Sequence, residues 1–299
     1  MSKPTTLDGY ENIVTENCER VLVTLLRGLG PWKNSIYLIG GLTPRYLVPD
    51  RPPRVPPHAG TGDVDIVVKL QMLTEIEAYH TLEENFKKMG FERAENEKGQ
   101  KLSWRWQIKS EAGATMILEL LADDPAVQGG RVQPLPTDGH ISALNIPHSS
   151  MVFDHYESKE IRAELLGENG IATETIRYAD LLCFTCLKAL AFDQRNERKD
   201  AHDLIYCIEH TTGGLGEVIE IFRTAREGKY SAVINETLNI LKVRFADDAA
   251  TEGYRKDGPV SVAKFELGEG NDQQLRELRT LRQRGVSDVI DQLFEGMDS

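Results

Sequence analysis

Two aspartates separated by one residue, Asp63 and Asp65, open the run Asp63-Val-Asp-Ile-Val-Val68. The β-branched residues around them predict a strand. Strand side chains alternate, so both carboxylates leave from one face while Val64 and Ile66 leave from the other. Their Cβ atoms are then about 6.5–7 Å apart, close enough to hold metal ions between them. Like charges on one face repel, and burial makes them costlier. A divalent cation offsets that cost, and an all-oxygen donor set suits Mg2+ or Mn2+. The alternative is a loop-end pair that caps a turn or faces water.

Other residues could complete such a site. Gly40-Gly41 lies upstream, where a strand is expected to pass into a helix. Glycines there let backbone amides approach a phosphate without an intervening Cβ; a plain tight turn is the other reading. Glu119 is the only charge in Thr115-Met-Ile-Leu-Glu-Leu-Leu121. It is either a third metal carboxylate or an edge-strand glutamate facing water. Lys188 is the single charge in the apolar helical run 181–192. A lysine in that setting either snorkels or meets an anion, and a nucleoside triphosphate is a candidate anion. Asp200 and Asp203, three residues apart, fall in the expected first turn of the next helix. The helix dipole favours acidic residues there, which is their structural reading.

The elements that must position these groups are readable from periodicity. Residues 10–29 alternate charged and apolar positions at helical spacing, with Ile13, Val14, Val21, Leu22, Leu25 and Leu26 on the apolar side. A short buried strand is expected over 35–39, and Thr43-Pro44 reads as an N-cap followed by a first-turn proline. Five prolines in 49–57 predict an extended loop. A strand over 63–68 follows, then a helix over 74–89 with Ile76, Leu82, Phe86 and Met89 inward. Further strands are expected at 102–109, 114–121 and 141–146. Helical signals then dominate, at 178–193, 200–210, 215–226, 230–244 and 272–295. Strands followed by runs of helices predict an α+β protein: a mixed sheet flanked by helices over 1–150, then a mainly helical domain over 151–299.

Composition sets limits. The chain has 299 residues and a formal net charge of −12, so an overall basic surface for gripping nucleic acid is excluded, while a local basic groove is not. No stretch approaches the ~18 apolar residues of a membrane helix, and the first residues carry no apolar signal segment. Four cysteines (Cys18, Cys183, Cys186, Cys207) show no disulfide framework, which fits a reducing cytoplasm. Cys183-x-x-Cys186 lies inside the apolar helix without a second ligand pair and reads as core. The histidines show no metal-ligand spacing, and His202 either leans into the site or, the plainer reading, lies at the surface.

Gly40-Gly41 followed by Thr61-Gly-Asp-Val-Asp-Ile66 resembles the glycine and Asp-x-Asp signature of the polymerase-beta-like nucleotidyltransferases. Leu181-Leu…Lys188-Ala-Leu-Ala, then Arg195…Lys199-Asp-Ala-His-Asp-Leu204, is similar to the downstream motif of the AbiEii-type branch. That branch contains toxins of type IV toxin–antitoxin systems and the related MenT enzymes. The resemblance spans roughly residues 35–210. It implies a nucleotidyltransferase-type sheet, with Asp63 and Asp65 on the metal, Lys188 on the nucleotide phosphates and Asp200 either orienting Lys188 or moving a proton. Glu119 matches the third-carboxylate strand less closely. Two departures stand out: the proline-rich loop lengthens the gap between the glycines and Asp-x-Asp, and Gly41 replaces a common serine.

The resemblance further implies transfer of NMP from an NTP to an acceptor hydroxyl with Mg2+ or Mn2+, the acceptor being an RNA 3′ end such as that of tRNA. A cognate antitoxin is the implied protein partner. Arg276, Arg279, Arg282 and Arg284 either offer a basic helical face to RNA or form an ordinary solvated face. Two alternatives remain: nucleotidylation of a small molecule or protein, and a catalytically silent fold that acts as a binding module.

Overall fold

The computed structural model describes residues 4–70, 82–137 and 140–299. The chain divides into a sheet unit, Asn12–Tyr46 with Gly60–Asp180, and a helical unit, Met1–Glu11 with Leu47–Ala59 and Leu181–Ser299.

In the sheet unit, α1 (Asn12–Leu29) precedes β1 (Ile36–Ile39), a 3-10 turn (Gly40–Leu42) and the short α2 (Pro44–Leu47). Then come β2 (Asp63–Val68), α3 (Leu82–Lys88), β3 (Glu92–Glu95), β4 (Lys101–Lys109) and β5 (Thr115–Ala122). β6 (Val132–Pro134), β7 (Ser142–Asn145), β8 (Tyr156–Glu164) and β9 (Ile171–Ala179) complete it. The sheet order is β3-β4-β5-β2-β1-β9-β8, with β7 also pairing β5 and β6 pairing β7. It is mixed: β2 runs parallel to β5 and β1 parallel to β9, whereas β1 and β2 are antiparallel.

Alternation makes the two faces of this sheet differ. Val64, Ile66, Trp106, Met116, Leu118 and Leu120 are buried together on one side, each large side chain contributing about 1.5–3 kcal/mol when fully covered. Phe86 of α3 meets Trp106 edge-on at 5.1 Å between ring centroids. The opposite parity carries Asp63, Asp65, Arg105, Gln107 and Glu119.

The helical unit contains α4 (Leu181–Arg195), α5 (Arg198–His210), α6 (Gly214–Ala225), α7 (Ser231–Arg244), α8 (Asp257–Leu267) and α9 (Gln273–Asp298). α5 packs against α4 and α8, and α9 against α8 and α6. Apolar residues surround α4, so it is buried on nearly every side, Lys188 included. Asn196, at φ 53, takes the left-handed turn that stops α4. Asp272 caps α9 by accepting a hydrogen bond from the Leu275 N–H.

The expected mixed sheet and C-terminal helices are present, with corrections. The boundary between the units falls at Asp180, not residue 150, because β8 and β9 belong to the sheet unit. That hairpin escaped the periodicity argument for a physical reason. Its inward row includes a charge, Glu174, which is buried and paired with Arg27 at 3.3 Å and Lys33 at 3.1 Å. Tyr178 and Ala179, expected to begin a helix, end β9 instead. Gly258-Pro259 masks α8 in the sequence pattern, yet it falls in the first turn, where proline is tolerated. Thr43 precedes α2, but its buried hydroxyl caps nothing. Ile13 is 55% exposed rather than inward. Leu82 and Phe86 are buried as expected and Met89 is half-buried; Ile76 lies outside the described residues. Among the described residues, no helix is long and apolar enough to cross a membrane.

Candidate functional site

In the sheet unit, three of the expected carboxylates share one face. Asp65 lies opposite Ile39 of β1 on one side and opposite Glu119 of β5 on the other. Glu119 in turn faces Arg105 of β4. Adjacent strands are about 4.8 Å apart, so Asp65 and Glu119 are neighbours, with Asp63 one row along. Glu119 is therefore on an interior strand, which removes the edge-strand reading. Asp63 is buried, Asp65 is half-buried, and the Glu119 side chain is 18% exposed.

Local structure explains their placement. The Thr61 hydroxyl accepts from the Asp63 N–H at 3.2 Å, and the Thr61 N–H donates to Thr15 Oγ1 on α1 at 3.0 Å. These bonds fix the point at which β2 begins. Gly40 follows Ile39, the partner of Asp65, at φ 75, and a Cβ built on it would stand 2.0 Å from Asp65 Oδ2. Glycine is required both by that backbone angle and by the carboxylate. The expectation was approach to a phosphate or a plain tight turn; the group that stands against Gly40 is the Asp65 carboxylate. Gly41 is buried in the 3-10 turn.

Two side chains here were not anticipated. Arg105 Nε stands 3.0 Å from Glu119 Oε1, so Glu119 already has a protein counter-charge. The signal was available: Arg105 sits between Trp104 and Trp106, on the parity that faces Glu119. Cys18, fully buried on α1, has its thiol held protonated by burial and then by the charges of Asp63 and Asp65. The three carboxylates offer an oxygen-only set on one face beside a backbone that a Cβ would foul. That arrangement fits a hard divalent cation, with Asp63 and Asp65 better placed than Glu119, which shares its charge with Arg105.

In the helical unit, Lys188 and Asp200 are brought together. The Lys188 ammonium donates to Asp200 Oδ1 at 2.9 Å and Asp203 Oδ2 at 2.7 Å. Asp200 also accepts from Arg195 at 2.6 and 2.8 Å, and both Asp203 oxygens accept from Lys199 at 2.8 Å. Burial alone would lower the Lys188 pKa, but the charges of Asp200 and Asp203 more than reverse this and raise it. Burial would raise both aspartates, yet Lys188 leads the partners that hold them below the usual carboxylate range. The anion that the buried lysine requires is thus supplied by the next helix. α5 starts at Arg198, so Asp203 lies beyond the first turn, and both aspartates serve Lys188 rather than capping the helix.

The network continues to two histidines. His58 Nε2 lies 2.9 Å from Asp203 Oδ1, and His202 Nδ1 lies 3.0 Å from Glu266 Oε1. His202 is buried, not at the surface as expected. Burial pushes the His58 pKa down to about 4, against the pull of Asp203. Arg282 donates to both Glu209 and Glu266 at 2.6–3.0 Å, so it is no part of a free basic face. Arg279 donates to the Gly268 carbonyl at 2.9 Å, and Arg284 lies over the Tyr254 ring. The C-terminal arginines are largely committed within the unit.

Compared with known proteins, the chain matches no family model and no curated sequence. Cys183 and Cys186 are buried thiols within α4, as expected of core residues.

Proposed function

We propose that this chain is a metal-dependent nucleotidyltransferase that transfers NMP from an NTP to an acceptor hydroxyl, with an RNA 3′ end such as that of tRNA as the acceptor. The observation that carries the reading is the row Asp65–Glu119, with Asp63 on the same face and Gly40 pressed against Asp65. Carboxylates on one face repel one another, and a bound cation lessens that cost. Asp63 and Asp65 would hold Mg2+ or Mn2+, with Glu119 as the third carboxylate. The metal, when bound, neutralises triphosphate charge and lowers the pKa of the attacking hydroxyl. Gly40 keeps the space beside Asp65 free of side chain, and the Thr61–Thr15 contacts fix where Asp63 leaves the strand. The family resemblance assigns Lys188 to the nucleotide phosphates, while its ammonium is held within the helical unit by Asp200 and Asp203. A toxin role with a cognate antitoxin follows from the same resemblance.

Incubation of the purified protein with each labelled NTP, Mg2+ and total RNA tests this directly. Wild type should release pyrophosphate and label a discrete RNA, while Asp65→Ala should do neither; equal release by both ends the proposal. Labelling of a small molecule or protein instead would keep the chemistry and change the acceptor. The pairing of Arg105 with Glu119 favours a second reading, a silent fold that binds without catalysis. Turnover separates the two: a silent module binds NTP in calorimetry yet releases no pyrophosphate.

A further inference from the structure

Three ligand-type atoms converge in the helical unit, one each from His58, His202 and Asp203, all within 4.8 Å of one another. The two imidazoles are stacked, with ring centroids 5.7 Å apart and planes inclined by 23°. His202 carries an independent sign of a ligand. Its Nδ1 pairs with Glu266, which Arg282 holds through two contacts, while its Nε2 is buried without a hydrogen-bond partner. A carboxylate on one ring nitrogen fixes the tautomer and turns a lone pair outward from the other, the arrangement that backs metal-bound histidines. An orphaned imidazole nitrogen in the interior is costly unless something meets it.

We propose that His58, His202 and Asp203 form a transition-metal site of the zinc type, separate from the carboxylates of the sheet unit. Two imidazoles and one carboxylate match three-protein-ligand zinc sites, which leave a fourth position for water. The His58 Nε2 to Asp203 Oδ1 distance of 2.9 Å is already near the ligand spacing of such a site. Zinc bonds of about 2.0–2.2 Å put tetrahedral ligand atoms on the order of 3.3 Å apart. A ligand pair at the 4.8 Å limit therefore closes by about 1.5 Å on binding. Metal takes the place of the hydrogen between His58 Nε2 and Asp203, and the neutral imidazole of His58 then carries its one proton on Nδ1.

The main opposition is electrostatic, because Lys188 and Lys199 both reach Asp203. The surrounding charges cancel: Lys188, Arg195, Lys199 and Arg282 stand against Asp200, Asp203, Glu209 and Glu266. Lys199 is the contact that yields. It is half-buried, and its long stem can carry the ammonium away from Asp203 Oδ1. The site also gives the proline-rich segment a purpose. His58 ends that segment, and the Pro56 carbonyl accepts from Tyr206 of the same helix at 3.0 Å, so metal would clip residues 47–59 to α5.

The test uses the full chain purified without a metal-chelating tag, with zinc measured by mass spectrometry and cobalt followed by its visible spectrum. One zinc per chain is expected, together with the intense bands of four-coordinate cobalt. Both should survive Asp65→Asn and be lost in His202→Gln. His58→Gln, on a segment outside the helices, serves as the second variant and should weaken binding at least tenfold. Zinc no higher in wild type than in either histidine variant, or zinc lost only with Asp65→Asn, overturns the site and leaves His202 Nε2 to a buried water.

Discussion

Gly40 and Asp65 are in such close register that the glycine has room for no side chain: its Cβ would fall 2.0 Å from the Asp65 Oδ2. The carboxylate and the turn after β1 are therefore set by one another. Gly40→Ala also meets the penalty of φ 75, about 1–2 kcal/mol for an L-residue. The variant should lose roughly 1–3 kcal/mol of stability and bind Mg2+ at least tenfold more weakly. Denaturant melts and calorimetry read the two effects, and an alanine variant with unchanged metal affinity would separate Gly40 from the site.

Asp65→Asn keeps the shape of the side chain and removes its charge. Removing the charge relieves repulsion with Glu119 and Asp63, so the variant has less for a cation to offset. Saturating Mg2+ at about one hundred times its Kd stabilises wild type by about 2.7 kcal/mol, and the variant should gain almost nothing. Thermal melts with Mg2+ or EDTA provide the check, and the idea fails if both proteins gain equally.

These carboxylates were legible in the sequence because period-two alternation is a local property: β2 spans the predicted 63–68 run, and Asp63 and Asp65 share its face. Glu119 was flagged as an isolated charge, but its neighbours depend on the parallel pairing of β2 with β5, which no local pattern encodes. The same limit hid Arg105. Lys188 reads in sequence as either snorkelling or meeting an anion, and no local pattern ranks a nucleotide against Asp200 and Asp203, one helix away. Its polar neighbours in sequence point His202 to the surface and give no hint of α8, whose Glu266 receives it. Burial of a polar residue through a distant partner is a tertiary fact.

Arg105→Gln should show what the guanidinium does. With its counter-charge removed, Glu119 offers more negative potential to a cation on the same face. Mg2+ affinity should rise several-fold, an opposite-charge contact at partial exposure being worth up to about 1 kcal/mol. Metal-free stability should fall by a similar amount. Weaker Mg2+ binding in this variant would mean that Arg105 organises the carboxylates rather than competing for one.

Acid should weaken the sheet unit through Glu83. This buried residue accepts from Lys87 at 2.8 Å, Arg93 at 2.7 Å and the His140 N–H at 2.8 Å. Burial alone would raise its pKa, but the bonds from Lys87 and His140 and the charge of Arg93 bring it below the ordinary glutamate value. A depressed folded-state pKa means that the stabilisation is complete above the unfolded value and disappears as pH falls through the folded one. Melting temperature should thus drop below about pH 4.5, and more shallowly in Glu83→Gln. Parallel acid profiles for the two proteins would refute the assignment.

Lys188→Met distinguishes a structural lysine from one that also meets substrate. Methionine matches the length of the stem but leaves Asp200 and Asp203 without their shared partner. Breaking a buried ion pair from one side costs about 3–5 kcal/mol. The lower figure is expected here, because Arg195 still faces Asp200 and Lys199 still faces Asp203. Lys188→Met combined with Asp200→Asn should recover part of that loss, since the uncompensated charge goes with it. NTP affinity, measured by calorimetry where each variant is folded, then decides the second role. If Lys188 serves only the ionic network, the double variant regains stability and binds NTP like wild type. If it also holds phosphate, stability returns while NTP affinity stays at least tenfold down, because removing Asp200 cannot replace an ammonium.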